Sequence, residues 1–276
     1  MPRVGRPARA RLVTLTSDLG GAYAAQMKAV LLRSLDPSRV VDLIHDLPAH
    51  GIREAAFVVR AIASGFPAGT VHVVVVDPGV GGTRAPIVID CQDGSALVGP
   101  DNGVLVPLAE ILGIRAAYRI DPRRLGTSRT RVGTTFDGRD LFAPAAARLA
   151  TGGRASALGP ATEVGPLQLA RPIRRARSAG GEILHVDRFG NLITNLPSGW
   201  VPTDTRRLEF RIERGRFRSV PWATSYEAIG RGRVGTLASS FGTVEVAVVE
   251  GSAADRFHVR AGARIEVRWR RGHRPR

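Results

Sequence analysis

The sequence predicts an α/β domain built on a doubly wound sheet, followed by a small all-β barrel domain. Three observations predict it. Val73-Val74-Val75-Val76 is an unbroken apolar run, the pattern of a strand buried on both faces of a parallel sheet. Around it, strand-like and helix-like stretches alternate as far as Ala150, as βαβ units do. Beyond a Gly-, Pro- and Arg-rich stretch at 151–181 the helical period is lost, and short alternating segments take over. The chain of 276 residues is long enough for two cores. The expected organisation is a disordered basic arm at 1–10, an N-terminal α/β domain at 11–165, a linker at 166–180, a C-terminal β-barrel domain at 181–270 and a basic tail at 271–276.

The first strand is read at Arg11 to Thr16 and runs into Ser17-Asp18-Leu19-Gly20-Gly21. Met27, Val30 and Leu31 recur at helical spacing in 23–35, so a helix follows. This strand, turn and helix open a βαβ unit of the Rossmann-like kind, without the G-x-G-x-x-G of a dinucleotide site. Asp18 at the strand end has two readings: an acceptor for the hydroxyls of a ribose, or the N-cap of the helix. Val40 to Ile44 is the second strand, leading to His45-Asp46-Leu47-Pro48. Ile52 to Ser64 is the second helix, with Ala55, Ala56, Val59 and Ile62 on one face.

Val71 to Val76 is the third strand, stopped by Asp77-Pro78-Gly79-Val80-Gly81-Gly82. Ligands of open α/β sheets bind beyond the carboxyl ends of the strands, which is where Asp77 stands. Arg84 lies close enough in sequence to fold back onto it. The plainer alternative is an Asx-turn at Asp77 with Arg84 on the surface. Ile87 to Asp90 and Ala96 to Val98 form a strand pair turning at Asp93-Gly94, and Gly99-Pro100-Asp101-Asn102-Gly103 is a loop. A helix at Val104 to Leu112 and a strand at Ala116 to Ile120 follow. Phe136-Asp137-Gly138-Arg139-Asp140 opens an alanine-rich helix at Leu141 to Ala150, where acidic residues suit the helix dipole. Strands of the second domain are expected at Glu182 to Val186, Leu192 to Asn195, Arg207 to Ile212, Gly235 to Ala238, Val244 to Val249 and Ala263 to Trp269.

Composition excludes several classes. The net charge is +16, but Lys28 is the one lysine among 40 basic residues. So strong an arginine bias reads as a coding bias of a genome rich in G and C. The arginine clusters lack the interleaved aromatics of a base-stacking surface, so a nucleic-acid partner is not expected. No window approaches the ~18 apolar residues of a membrane helix. The basic N-terminus lacks the apolar core of a signal peptide, so a cytoplasmic location is expected. Cys91 is the single cysteine and reads as core. The six histidines show neither H-x-H nor H-E-x-x-H spacing, so no metal and no cofactor are expected.

Read together, the loops carry a resemblance. Thr16-Ser17-Asp18-Leu19-Gly20, His45-Asp46-Leu47-Pro48, Asp77-Pro78-Gly79-Val80-Gly81 with Arg84, Gly99 to Gly103, Phe136 to Asp140, Asp187-Arg188-Phe189-Gly190-Asn191, and Ser239-Ser240-Phe241-Gly242 with Glu245 occur in this order. Gly251-Ser252 closes the set. The whole resembles the S-adenosylmethionine (SAM) hydroxide adenosyltransferases, relatives of the fluorinase and chlorinase, over Leu12 to Trp269. The resemblance implies an N-terminal α/β domain joined to a β-barrel. It implies a homotrimer whose active sites lie between the N-domain of one subunit and the C-domain of the next. SAM as substrate would be cleaved at ribose C5′ to adenosine and L-methionine.

By position, Asp18 resembles the carboxylate that holds the ribose hydroxyls. Asp187 and Asn191 resemble the pair near the methionine end, and Ser240 a contact of the methionine carboxylate. Phe136 and Phe189 would pack around sugar and base. Asp77 and Arg84 match two members of the family's hydrolytic Asp–Arg–His set. The third departs: the family motif Phe-His-Gly-Arg-Asp is here Phe136-Asp137-Gly138-Arg139-Asp140. Asp137 is then a proton acceptor in the histidine's place, or a residue that leaves the site slow, or a helix cap. The halogenases carry an insertion after the third strand, whereas Arg84 here runs straight into Ala85 to Asp90, which favours water over halide. The alternatives are a halogenase-like enzyme, or a SAM- or nucleoside-binding protein, even one associated with nucleic acid, with a degenerate catalytic set.

Overall fold

The computed structural model of the protein describes residues 10–125, 135–167 and 169–269. The tail at 271–276 and all but Ala10 of the basic arm lie outside the described residues. The chain divides into two compact units, Met1–Leu167 and Gln168–Arg276.

The first unit is a six-stranded sheet with helices. Its strands are β1 (Val13–Ser17), β2 (Val40–Ile44), β3 (Val71–Val75), β4 (Pro86–Cys91), β5 (Ala96–Pro100) and β6 (Ile114–Arg119). Its helices are α1 (Gly20–Leu31), α2 (Ile52–Ala63), α3 (Val106–Leu112) and α4 (Ala143–Ala150). The sheet order is β2-β1-β3-β5-β4-β6. The first four of these run parallel, and β4 is antiparallel to both neighbours. The mixed edge follows from the turn at Asp93-Gly94, where Gly94 takes φ 83° and sends the chain straight back beside β4. The valines behave as read: Val71, Val73 and Val75 pack with Val13 and Leu15 of β1, Met27 and Leu31 of α1, and Phe142 ahead of α4. Each such side chain removed from water contributes about 1.5–3 kcal/mol. Cys91 is core, and burial pushes its thiol up to about 12, out of reach of nucleophile chemistry.

Several boundaries shift from the reading, two of them for clear physical reasons. Helix α1 starts at Gly20 rather than Tyr23, because Gly20 adopts φ 72° and donates its N–H to His45 O at 2.8 Å. The helix expected from Leu141 opens instead as a π-turn at Gly138–Phe142, with Ala143 N bonded to Gly138 O. Pro144 follows and has no N–H to give to the preceding turn, so the chain widens just before it.

The second unit is a closed barrel. Its strands are β7 (Ile173–Arg174), β8 (Ser178–Val186), β9 (Leu192–Pro197), β10 (Arg207–Ile212), β11 (Arg218–Ala223), β12 (Val234–Ala238), β13 (Thr243–Val248) and β14 (Arg264–Trp269). Neighbours follow the order β14-β10-β11-β12-β13-β9-β8, and β14 pairs with β8 to close the ring, which leaves no free edge in it. Strand β7 pairs with the first half of β8, which β9 does not reach, so part of the stretch read as linker is strand. Leu208 and Phe210 of β10 and Ile265 and Val267 of β14 face the core. Between them, Arg211 and Glu266 face outward and pair at 2.5 Å. Strand β11 was not expected, since Pro221 weakens any strand reading. Two short helices, α5 (Tyr226–Ile229) and α6 (Ala253–Phe257), are capped by Ser225 and Ser252.

Candidate functional site

In the first unit the chemistry gathers at the carboxyl ends of β1 and β3, paired in parallel with Ser17 opposite Val75. Asp18 follows β1, and its N–H bonds Val75 O at 3.4 Å. Asp77 follows the valine run, and two tight turns (Val80 N to Asp77 O, 3.2 Å; Gly82 N to Gly79 O, 3.0 Å) bring Arg84 back. A Cβ on Gly79 would lie 3.2 Å from Arg84 Cγ, so the loop is close-packed against the arginine stem.

Arg84 is the hub. Its Nε donates to Asp77 Oδ1 at 2.9 Å and its Nη2 to Asp77 Oδ2. Nη2 also donates to Asp137 Oδ2 at 2.5 Å. The side chains of Arg84, Asp77 and Asp137 are 11%, 5% and 4% exposed. The guanidinium also lies 5.7 Å from the Phe142 ring centroid. Burial by itself would lower the Arg84 pKa, but the hydrogen bonds and charges of Asp77 and Asp137 outweigh it and raise it, so the cation persists. Asp77 and Asp137 share this one guanidinium in a site that little solvent reaches. The surface-arginine reading of Arg84 is therefore corrected. The helix-cap reading of Asp137 is corrected too, because its side chain makes no cap bond. Asp140 pairs with its neighbour Arg139 at 2.7 Å.

Asp18 is not a cap either, since the N-cap of α1 is Leu19. Its Oδ2 accepts from His50 N at 2.9 Å. Its Oδ1 is buried with no hydrogen-bond partner among the described residues, an acceptor that calls for a donor from outside. Phe136 is half-buried, edge-on to Tyr23 at 5.3 Å, with Arg139 5.3 Å from its ring centroid.

The second unit holds the other candidates. Asp187 to Asn191 joins β8 to β9 as a local knot. Asp187 Oδ1 accepts from Phe189 N and Asn191 N, and Oδ2 from Asn191 Nδ2, all at 2.9 Å. Gly190 sits at φ 79°, and any side chain there would run into Ser252, so the knot requires glycine. Asp187, Phe189, Asn191 and Ser240 line one cavity of about 710 Å³. Phe189 is 66% exposed on its wall.

The chain is similar to known proteins over most of its length. The family model of the SAM hydroxide adenosyltransferase N-terminal domain matches residues 13–159, and that of the C-terminal domain matches residues 181–266. This chain belongs to the SAM hydroxide adenosyltransferase family. A protein of Salinispora tropica named (R)-S-adenosyl-L-methionine hydrolase is 38% identical over 262 residues, 92% of this chain and 97% of that protein. One of the same name from Thermus thermophilus is 37% identical over 270 residues, 93% of this chain and 99% of its own. The crystal structure of an uncharacterized conserved protein from Thermotoga maritima superposes with a TM-score of 0.85 at 31% identity, covering 93% of this chain and all of the other.

In this chain the structure adds contacts that the motifs did not reveal, some of them between residues that the motifs contain. His45 Nδ1 lies 2.9 Å from Ser17 Oγ, and its Nε2 lies 3.2 Å from Asp42 Oδ1. Asp42 Oδ1 can only accept, which places a proton on Nε2, and Ser17 Oγ, which accepts from Leu19 N at 3.4 Å, has a proton of its own to offer Nδ1. Lys28 completes the row, 2.6 Å from Asp42 Oδ2. Burial would raise the Asp42 pKa, but Lys28 and His45 together lower it. The row braces the loop that carries His50 to Asp18. No motif revealed it, because it joins α1, β2 and the end of β1. In the second unit, Tyr226 and Glu250 line the cavity beside the expected residues.

Among the described residues no group of three or more His, Cys, Asp or Glu could hold a metal ion, and no helix is long and apolar enough to cross a membrane.

Proposed function

We propose that this protein hydrolyses SAM at ribose C5′, giving adenosine and L-methionine. The observation that carries the reading is the buried Asp77–Arg84–Asp137 cluster at the carboxyl edge of the sheet, in a chain 38% identical to a relative named for SAM hydrolysis. That relative's name specifies the (R) substrate, and we extend the same substrate to this chain.

The step is an in-line displacement. The water oxygen bonds C5′ as the C5′–S bond breaks, the bonding pair stays on sulfur, and one proton leaves the water. A sulfonium departs as a neutral thioether, so no acid is needed. The site must hold the water opposite the C–S bond, about 3–3.5 Å from carbon, and accept its proton. Asp77, gripped by two nitrogens of Arg84, is a firm acceptor that positions the water. Asp137, standing where the family motif has histidine and sharing Arg84 with Asp77, takes the proton. Asp18, with Oδ1 open, holds the ribose hydroxyls. Asp187 and Asn191 face the methionine end, Ser240 its carboxylate, and Phe136 and Phe189 the sugar and base. No cofactor or metal takes part. The working form is a cytoplasmic homotrimer, each active site shared between the N-terminal domain of one subunit and the C-terminal domain of another. The direct run from Arg84 into β4, without the halogenase insertion, favours water as the nucleophile.

The test is chromatography of adenosine and methionine after mixing the purified protein with each sulfonium epimer of SAM at pH 7–8, with and without chloride. Chloride-independent release of both products is expected. Tight SAM binding without release would replace this reading with a binding protein whose catalytic set is degenerate. Release of a chlorinated nucleoside would replace it with a halogenase.

A further inference from the structure

We propose that Tyr226 is a further substrate-contacting residue: its phenolic oxygen is a dedicated hydrogen-bond acceptor that selects an N–H donor on the ligand of the second unit's cavity, and Glu245 is the positioning residue that makes it so. The inference rests on the reading of that cavity as part of the SAM site.

Tyr226 opens α5, anchored by the bond of Ser225 Oγ to Ala228 N at 3.2 Å. The helix ends at Gly230, whose φ of 88° turns the chain away. Tyr226 lines the cavity with 44% of its surface exposed. Behind it, Glu245 of β13 is 3% exposed. Tyr226 Oη donates to Glu245 Oε1 at 2.6 Å, a length typical of a hydroxyl on a carboxylate.

A phenol has one proton. Here that proton points inward, to a carboxylate the ligand does not reach. Burial, the bond to Glu245 and the charge of Glu245 all push the phenol above its ordinary pKa, so the proton stays in place. What Tyr226 has left to offer a ligand in the cavity is therefore the lone pair of its oxygen and its ring. Without Glu245 the hydroxyl would rotate and serve donors and acceptors alike. With it, the oxygen serves donors only. The surroundings agree in sign, because the other carboxylates of the cavity wall are Asp187 and Glu250. Glu250 is held on the exposed rim by Arg231 at 2.5 Å.

SAM offers such a donor at two places, the exocyclic amine of adenine and the α-ammonium of methionine. A ligand with a carbonyl oxygen in the amine's place, as in hypoxanthine, would set acceptor against acceptor. Sites built this way reject the wrong partner more strongly than apolar pockets do, because a desolvated polar group is left unpaired.

The test is calorimetric titration of the full-length wild type, Tyr226→Phe and Glu245→Gln with SAM, adenosine, inosine and methionine, alongside steady-state kinetics. Tyr226→Phe keeps the ring and removes only the acceptor. SAM affinity should fall about tenfold and KM should rise to match, with kcat within about twofold. A loss confined to adenosine, with inosine unaffected, assigns the donor to the exocyclic amine. A loss confined to methionine assigns it to the ammonium. Glu245→Gln keeps a partner for the phenol and guards against a folding defect; it should lose about threefold and bind inosine better relative to adenosine. Unchanged affinity of both variants for SAM, adenosine and methionine overturns the proposal. A wild-type chain that binds none of these ligands overturns the proposed function itself.

Discussion

The cluster around Arg84 and the knot at Asp187 hold their aspartates in opposite ways. In the first, Asp77 and Asp137 are tied to Arg84 by side-chain pairs, and Asp137 comes from 53 residues away. In the second, every bond to Asp187 comes from within four residues, and two of the three are backbone N–H groups. A site built on distant charges can be undone by one substitution, whereas backbone donors survive any change of side chain. The largest predicted effect follows. Arg84→Met removes the cation shared by Asp77 and Asp137 and should destabilise the first unit by about 3–5 kcal/mol, abolishing turnover. Hydrogen exchange resolved by peptide should show protection falling in β1 and β3 and unchanged in β9 and β13. An equal loss in the barrel would break the contrast.

Removing one of the paired carboxylates should cost the chemistry more than the fold. Asp77→Ala is expected to lower adenosine release at least about a hundredfold, while calorimetry finds SAM affinity within about threefold. Loss of affinity on the same scale as turnover would turn Asp77 from a group that positions water into one that merely binds. Next in size comes Asp137→His, which restores the family motif and replaces one of the two carboxylates on Arg84 with an imidazole. The kcat should change about tenfold, and the rate should acquire an acid limb in the histidine range, roughly pH 6–7. A pH profile identical to wild type would remove Asp137 from proton transfer.

The contrast also explains what the sequence revealed. Asp187 and Asn191 were picked out through the family resemblance, and the hydrogen bonds between them are local, written by a short loop between two strands. Asp77 was legible because a valine run has only one end. What Arg84 touches was legible in part, since glycines fold it back to Asp77, but its bond to Asp137 needed the sheet in place. The Ser17–His45–Asp42 row was hidden for the same reason, and a slip in the β1–β2 register between Leu15 and Thr16 made it harder to infer. Tyr226 carried no signal, since a four-residue helix has no period to read. Strand β11 and the π-turn were missed at Pro221 and Pro144, where a missing N–H changes which bonds the backbone can make.

The smallest predicted effect separates the units by pH. His72, on β3, is 2% exposed, bonded through Nδ1 to Thr14 Oγ1 at 2.8 Å and edge-on to Phe66. Burial pushes its pKa from 6.5 down to about 4. Between those values the unfolded chain binds a proton that the folded one refuses, so the first unit loses stability as pH falls, by about 0.8 kcal/mol at pH 6. Glu245 acts in the opposite sense. Burial is the main cause that raises its pKa, with the charge of Asp187 adding to it and the Tyr226 bond opposing it. The folded barrel therefore keeps a proton that the unfolded chain has already released, and loses that stability as pH rises through the raised value. Acid thus weakens the unit that holds the charged cluster and spares the barrel. Exchange measured from pH 7 to 5.5, corrected for the intrinsic rate, should show β3 losing protection while β13 holds. His72→Gln should flatten the first slope and leave the second alone. Parallel slopes in the two units would mean that acid acts on the protein as a whole, through net charge, rather than through these two side chains.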